Sequence, residues 1–258
     1  MKLALVPIIT LAIATASCND LASANSPLST KQAPVDVTLF VMSRCPDAMK
    51  CERTFGEVFK AEDLPPVNLE LSYIGAIDQT TTYQTRFDSG VQKGDLVSTS
   101  SSLTSQATTV TTVSCKHGPE ECAGNTQQLC FKKYFPDHHV WFSFVAAMNQ
   151  RPFMIGNPSY AIRIGETVLR EKGLWNDDNQ SLLMQSIHCS GGKEGFDLLV
   201  ASVQRTVDKS VTTSCTVFID HKKRCVVDGG VWRECPEGFQ VADFVRSIKK
   251  AAKDFFWG

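Results

Sequence analysis

The sequence lacks a long internal hydrophobic run, an excess of charge of either sign and a block of basic residues. It contains 26 Lys and Arg against 27 Asp and Glu, which gives a formal net charge of −1. Nucleic acid, which proteins bind through clustered positive charge, is therefore not an expected partner. No stretch beyond the N-terminus is apolar over the roughly 20 residues that a membrane-spanning helix needs, so no membrane partner is expected either.

The N-terminus has the layout of a secretory signal peptide. Lys2 precedes an apolar run from Leu3 to Ala16, which is short for a membrane span and is followed by small residues. We predict a signal peptide at residues 1–24 and a disordered lead-in at residues 25–34, with cleavage after Ala16 as the alternative. The expected location is the secretory pathway, ending in the extracellular space or a lysosomal or vacuolar lumen.

The chain has ten cysteines, and a secreted chain with this many is expected to form several disulfides. Cleavage after Ala24 removes Cys18 and leaves nine. Because nine is odd, at least one cysteine then has no partner within the chain, which indicates a reactive thiol or a link to another molecule. Cleavage after Ala16 leaves ten and weakens this inference.

The stretch "VMSRCPDAMKCE" has the first cysteine of a C-x-x-C redox site but lacks the second. Cys45 follows a predicted strand and precedes Pro46, a residue favoured at the first position of a helix. A cysteine at the start of a helix faces unpaired backbone N–H groups and the positive end of the helix dipole, and both favour the thiolate. The position that carries the second cysteine of a C-x-x-C redox site holds Ala48 instead. Cys45 is therefore either a reactive nucleophile or half of a structural disulfide.

Cys51 is the next cysteine along the chain. In a regular helix that begins at Pro46, Cys45 and Cys51 lie about 9 Å apart along the axis and roughly 240° apart around it. A disulfide needs Cα atoms within about 7 Å, so these two cannot bond unless the helix begins late. A disulfide from Cys51 to another segment is favoured.

The order of predicted elements indicates an α/β protein with a thioredoxin-like fold and a cysteine-rich, largely helical insertion. A strand, a helix and a strand come first and predict parallel strands with a right-handed crossover. A helix, a hairpin with strands at 215–220 and 225–232, and a final helix close the chain. We predict one domain at residues 35–258, with a Ser/Thr-rich loop at 79–114 and the helical insertion at 115–190.

The segment "CKHGPEECAGNTQQLC", residues 115–130, is called the signature segment below. Its three cysteines and one histidine could bind zinc, but disulfides are the better expectation in an oxidising compartment, and no metal is predicted. His117 could act as a base, although a single histidine is more often structural. Asn179 lies in the one acceptor sequence for N-glycosylation.

The spacing C-x-H-G-x-x-E-C-x-x-N-x-x-x-x-C resembles the signature of the gamma-interferon-inducible lysosomal thiol reductase (GILT) family. Its matching positions are Cys115, His117, Gly118, Glu121, Cys122, Asn125 and Cys130. The resemblance implies a thioredoxin-like fold with a helical insertion, reduction of disulfides in proteins within acidic lysosomal compartments, and no cofactor. It also implies that Cys45 corresponds to the nucleophilic cysteine.

Two features depart from that family. Ala48 replaces the second, resolving cysteine, and "SCTVFID" has no proline where thioredoxin-like sites have one in cis before the facing strand. Cys215 takes that place, and its position in the fold suggests an unorthodox resolving partner for Cys45. Cys51 is the other possible partner.

We therefore expect a thiol reductase that acts on disulfide-containing proteins and uses an external small thiol as reductant. The alternative is a non-catalytic, disulfide-stabilised binding protein in which Cys45 is paired structurally. A third possibility is a single-thiol exchange protein that captures its clients.

Overall fold

The structure is a computed structural model that describes residues 33–87 and 103–254. The predicted signal peptide, most of the lead-in and residues 88–102 lie outside the described residues. The elements, in chain order, are β1 Val35–Val41, α1 Pro46–Val58, β2 Val67–Tyr73, β3 Ala76–Phe87, β4 Leu103–Ser114, α2 Pro119–Tyr134, α3 His138–Met148, a 3₁₀ turn Pro152–Met154, α4 Pro158–Glu171, α5 Asp177–Ser190, α6 Lys193–Asp208, β5 Thr216–Ile219, β6 Lys222–Asp228, β7 Val231–Arg233 and α7 Val241–Asp254.

The main sheet has five strands in the order β2-β1-β5-β6-β7. β1 and β2 are parallel, as the α1 crossover requires, while β5 is antiparallel to β1 and the hairpin strands continue antiparallel to the edge. A β-α-β unit beside an antiparallel hairpin is the thioredoxin-like arrangement, so the predicted fold is confirmed.

Helices cover both faces of this sheet. α1 and α7 share one face, where the rings of Phe55 and Phe244 lie 4.9 Å apart, and Leu39 of β1 is fully buried in the same core. α6 packs against the other face through polar contacts with the end of β2. Ser72 Oγ lies 2.9 Å from Thr206 Oγ1. Because successive side chains of a strand point to opposite faces, Ser72 faces α6 and Leu71 faces the layer of α1 and α7.

The predicted helical insertion is confirmed and consists of α2 to α5. A disulfide between Cys130 on α2 and Cys189 on α5, with Cα atoms 6.0 Å apart, ties its first helix to its last. In the described residues, no helix is both long and apolar enough to cross a membrane.

Two sequence predictions differ from the structure. The loop prediction is wrong for residues 79–87 and 103–114, which pair as β3 and β4 in a long antiparallel hairpin. These strands are rich in threonine, whose branched Cβ favours strands, and Thr81 pairs with Thr109 across the ladder with their hydroxyl oxygens 3.1 Å apart. The second predicted strand of the terminal hairpin is broken in two, because Gly229 and Gly230 form a turn with φ values of +60° and +75°.

Helix α1 carries a buried acid whose charge has few partners. Glu52 on α1 is 2% exposed, and its Oε2 accepts a hydrogen bond of 2.6 Å from Asn149 Nδ2 at the end of α3. Burial raises the pKa of the Glu52 carboxyl from 4.5 to about 8, although the Asn149 hydrogen bond lowers it in part. The remaining oxygens of this pair, Glu52 Oε1 and Asn149 Oδ1, are both buried without a partner. A buried charge with a single donor is costly, so the neutral acid fits this site better than the carboxylate.

Glu52→Gln is expected to remove a pH dependence of stability. Because the folded-state pKa is raised, the folded protein holds this proton more tightly than the unfolded chain. The free energy of unfolding therefore falls as pH rises from about 4.5 to about 8, by roughly 5 kcal/mol at most. Glutamine cannot ionise, so the variant should gain stability at pH 8 relative to wild type and change little at pH 4.

Denaturant unfolding of the oxidised protein at both pH values measures this effect. Glu57→Gln, on the exposed side of the same helix, is the matched control. If the free energy of unfolding of Glu52→Gln depends on pH as strongly as that of wild type, Glu52 is not the group with the raised pKa.

Candidate active site

Cys45 occupies the junction between β1 and α1. It is the N-cap residue of α1, with φ −82° and ψ 125°, and Pro46 is the first helical residue. Its backbone N–H donates to Met42 O at 2.9 Å, and its carbonyl accepts from Met49 N at 3.2 Å. Residues 42–45, called the Cys45 turn below, therefore lead directly into the helix. Cys45 is 8% exposed and is the one cysteine of the described residues without a disulfide.

Cys51 does not pair with Cys45. The helix begins at Pro46, as the geometric reasoning assumed, and Cys51 instead forms a disulfide with Cys215, with Cα atoms 6.2 Å apart. Both sulfur-bearing residues are fully buried. The sequence-based suggestions of Cys51 or Cys215 as a partner for Cys45 are thus corrected, because each is the partner of the other. Cys215 follows Ser214 through a cis peptide bond just before β5.

The signature segment packs against the Cys45 turn. Ser43 N donates to Asn125 Oδ1 at 3.0 Å, and Ser43 Oγ donates to the carbonyl of Glu121 at 3.2 Å. Gly124 allows this approach, because a Cβ at that position would lie 2.7 Å from Ser43 Oγ and 2.2 Å from a methyl carbon of Ile155. The first turns of α2 therefore fix the backbone two residues before the thiol.

Glu121 makes the second set of contacts with the turn. Its side chain is fully buried, and its Oε2 accepts from Arg44 N at 3.3 Å and lies 2.5 Å from His117 Nδ1. Its Oε1 accepts from His117 N at 3.2 Å. A buried carboxylate is costly unless several donors pair with it, and here three do.

The cysteines of the signature segment are oxidised. Cys115 and Cys122 are bonded to each other, with Cα atoms 5.5 Å apart, and Cys130 is bonded to Cys189. Because zinc binds cysteine as thiolate, these residues offer no zinc site, and the disulfide expectation is confirmed. Gly118 begins α2 as its N-cap with φ +90°, a conformation that glycine adopts readily. Asn125 Nδ2 also lies 3.6 Å from Cys115 Sγ.

Two contacts beside the thiol were missed in the sequence. Asp47, in the first turn of α1, accepts hydrogen bonds from Gly229 N at 3.0 Å and Gly230 N at 2.6 Å. Arg44 donates through Nη2 to Phe153 O at 2.9 Å. The adjacent glycines Gly229 and Gly230 indicate a turn in the sequence. No local pattern indicates that the backbone N–H groups of this turn donate to Asp47.

Asn179 lies in the first turns of α5, away from these contacts. Its Nδ2, the atom that a glycan would join, donates to Leu174 O at 2.7 Å. Its glycosylation stays a prediction.

A free thiol at the start of α1 in a thioredoxin-like sheet is the arrangement of a thiol-disulfide oxidoreductase, and this is the class of the chain. Residues 91–159 match the model of the family described as gamma interferon inducible lysosomal thiol reductase (GILT). The predicted resemblance is therefore confirmed over the segment that contains the signature. No curated protein matched the chain.

Among solved structures, three oxidoreductases resemble the chain in fold. The oxidoreductase NmDsbA1 from N. meningitidis is 13% identical, with a TM-score of 0.43 and coverage of 89% of this chain and 88% of its own. A thioredoxin-like oxidoreductase from Silicibacter pomeroyi DSS-3 is 14% identical, with a TM-score of 0.43 and coverage of 86% and 88%. The oxidoreductase DsbA from Xylella fastidiosa is 10% identical, with a TM-score of 0.42 and coverage of 87% and 88%.

Asn125→Ala is expected to loosen the Cys45 turn. The change leaves the buried Ser43 N–H without an acceptor, at a cost of about 1–3 kcal/mol. Hydrogen exchange of a peptide covering residues 40–47 should quicken more than exchange of the β5–β6 hairpin, which Asn125 does not touch.

Thr126→Ser serves as the control, because serine keeps the hydroxyl that donates to Cys122 O. Equal exchange at residues 40–47 in Asn125→Ala and wild type would show that the amide does not hold the turn.

Proposed function

We propose that this chain reduces protein disulfides with the Cys45 thiolate as its only exchanging sulfur. The observation that carries the proposal is the position of Cys45 at the N-cap of α1, where it has no disulfide partner among the residues that the structure describes. Cysteines that exchange disulfides are found at such helix starts, and the thiolate is the form that attacks disulfides.

The reaction runs through three thiol–disulfide exchanges. The Cys45 thiolate attacks one sulfur of the substrate disulfide, that S–S bond breaks, and a mixed disulfide forms while the other substrate sulfur leaves with the bonding electron pair, as a thiolate or, where a proton reaches it, as a thiol. A small monothiol then attacks the mixed disulfide and releases the second substrate thiol. A second monothiol regenerates Cys45, so one substrate disulfide is reduced and two monothiols are oxidised to one disulfide.

An external reductant is needed in this proposal because residues 33–87 and 103–254 offer no resolving thiol beside Cys45. Ala48 occupies the position of the second C-x-x-C cysteine, and Cys51 and Cys215 are consumed in a fully buried disulfide. Since Cys45 is only 8% exposed, disulfides in extended, accessible segments should react best.

The proposed compartment is oxidising and lumenal or extracellular, with the signal peptide at 1–24 removed on the way. Four disulfides in the described residues support that environment, because such bonds persist outside the cytosol. A lysosomal or vacuolar lumen and glycosylation at Asn179 are parts of the same proposal.

The non-catalytic alternative supposed that Cys45 is paired structurally. Among the described residues it is not, and the eight other cysteines pair with one another. The same free thiol is compatible with client capture, in which the mixed disulfide persists and is not resolved. Measuring whether the protein reduces many substrate molecules per chain distinguishes reduction from capture.

Cys45→Ser is expected to abolish reduction of a protein disulfide in the presence of a monothiol. Before the assay, native protein from an oxidising expression pathway is labelled with a mass-tagged alkylating reagent and mapped by peptide mass spectrometry. Cys45 should be the labelled cysteine among residues 33–87 and 103–254. Retained turnover in Cys45→Ser, or a Cys45 that labels only after denaturation and reduction, would rule out the proposal.

Ala48→Cys is expected to restore an internal resolving thiol. Ala48 lies one helical turn after Cys45, where a thiol reaches the mixed disulfide. At a low monothiol concentration, wild type should accumulate the substrate-linked form on non-reducing gels, and the variant should not. Ala48→Ser, of similar volume and without a thiol, is the matched control. Accumulation in Ala48→Cys equal to that in Ala48→Ser would contradict the single-thiol mechanism.

A further inference from the structure

His117 and Glu121 form a pair of unequal exposure. The Glu121 side chain is fully buried, whereas the His117 side chain is 35% exposed. His117 Nδ1 lies 2.5 Å from Glu121 Oε2. A carboxylate at this distance accepts a proton-bearing nitrogen, so it fixes the proton on Nδ1 and sets the ring orientation.

The second ring nitrogen is available. His117 Nε2 makes no hydrogen bond with any of the described residues, while the ring is partly open to solvent. A buried carboxylate that holds one imidazole nitrogen and leaves the other without a partner is the arrangement of many acid–base histidines.

The pair lies beside the thiol-bearing turn. The Glu121 oxygen that binds His117 also accepts the backbone N–H of Arg44, at 3.3 Å, and Arg44 directly precedes Cys45. The imidazole and the Cys45 turn are therefore fixed by the same carboxylate oxygen. The Cys115–Cys122 disulfide closes the loop that carries His117 and restricts its movement.

We propose that His117 is the general acid of the exchange at Cys45. When the Cys45 thiolate breaks the substrate S–S bond, the departing sulfur takes the Nε2 proton of the His117 imidazolium and leaves as a neutral thiol. The neutral imidazole then takes a proton from water. The inference rests on the proposed function, since it assigns a role in that same reaction.

Protonation matters most for sulfurs that leave poorly. A thiol of low pKa departs readily as a thiolate, whereas an alkyl thiol departs slowly unless a proton reaches it. General acids commonly contribute ~10²-fold or more to such steps. A residue with only a structural role at the turn would instead slow attack on every disulfide alike.

The test compares single-turnover attack by Cys45 on two small probes, with His117→Gln against wild type. One probe is 5,5′-dithiobis(2-nitrobenzoate), whose aromatic thiol leaves easily, and the other is cystamine, whose alkyl thiol leaves poorly. We expect His117→Gln to slow the alkyl reaction at least ~10-fold and the aromatic reaction by a factor of about two or less. His188→Gln, an exposed histidine on α5, is the control and should match wild type on both.

Chemical rescue provides a second readout. Free imidazole should restore the alkyl reaction of His117→Ala and leave its aromatic reaction unchanged. Equal slowing of both probes in His117→Gln, or no slowing, would overturn the role of His117. Cys45→Ser separates this failure from failure of the proposed function, because a disulfide-reducing activity that survives Cys45→Ser refutes the function itself.

Discussion

The arrangement around the thiol depends on the buried carboxylate of Glu121. A charge without water must be paired by nearby donors, and its donors here come from two places in the chain, Arg44 N before α1 and His117 at the start of α2. The carboxylate is fully paired only when both segments are in position. The fold of the Cys45 turn and the fold of the helical insertion are therefore energetically linked, although 77 positions of sequence separate Arg44 from Glu121.

This link gives a physical reason for the spacing of the signature segment. Cys115 and Cys122 close a short loop, and within it Gly118 provides the positive φ that begins α2. Glu121 and Asn125 are four residues apart, so they project from the same side of α2 and contact Arg44 and Ser43 respectively. The signature cysteines are oxidised and stabilise this segment, whereas Cys45, the one cysteine of the described residues without a disulfide, lies outside it.

Local patterns predicted the element order and the helix start, because Pro46 and the apolar periodicity are properties of adjacent residues. The family signature likewise identified Glu121 and Asn125 without revealing what they contact. The Cys51–Cys215 bond joins residues 164 positions apart, and no local rule selects that pairing. The Thr-rich hairpin was missed for a related reason: its low complexity suggested a loop, whereas strand pairing between distant threonines decides its structure.

The two kinds of sulfur in this site have opposite requirements. A sulfur that exchanges must be reached by reagents, whereas a structural disulfide must be protected from them. Cys45 is the slightly exposed N-cap residue of α1. Cys51, one to two turns further along that helix, and Cys215, just before β5, are fully buried. Burial protects the internal disulfide from the external thiols that the proposed reaction at Cys45 needs. Its two cysteines are 164 positions apart, and closing a loop of that length restricts the unfolded chain by roughly 5 kcal/mol in the chain-entropy model. The bond therefore anchors α1, which begins just after Cys45, to the segment before β5.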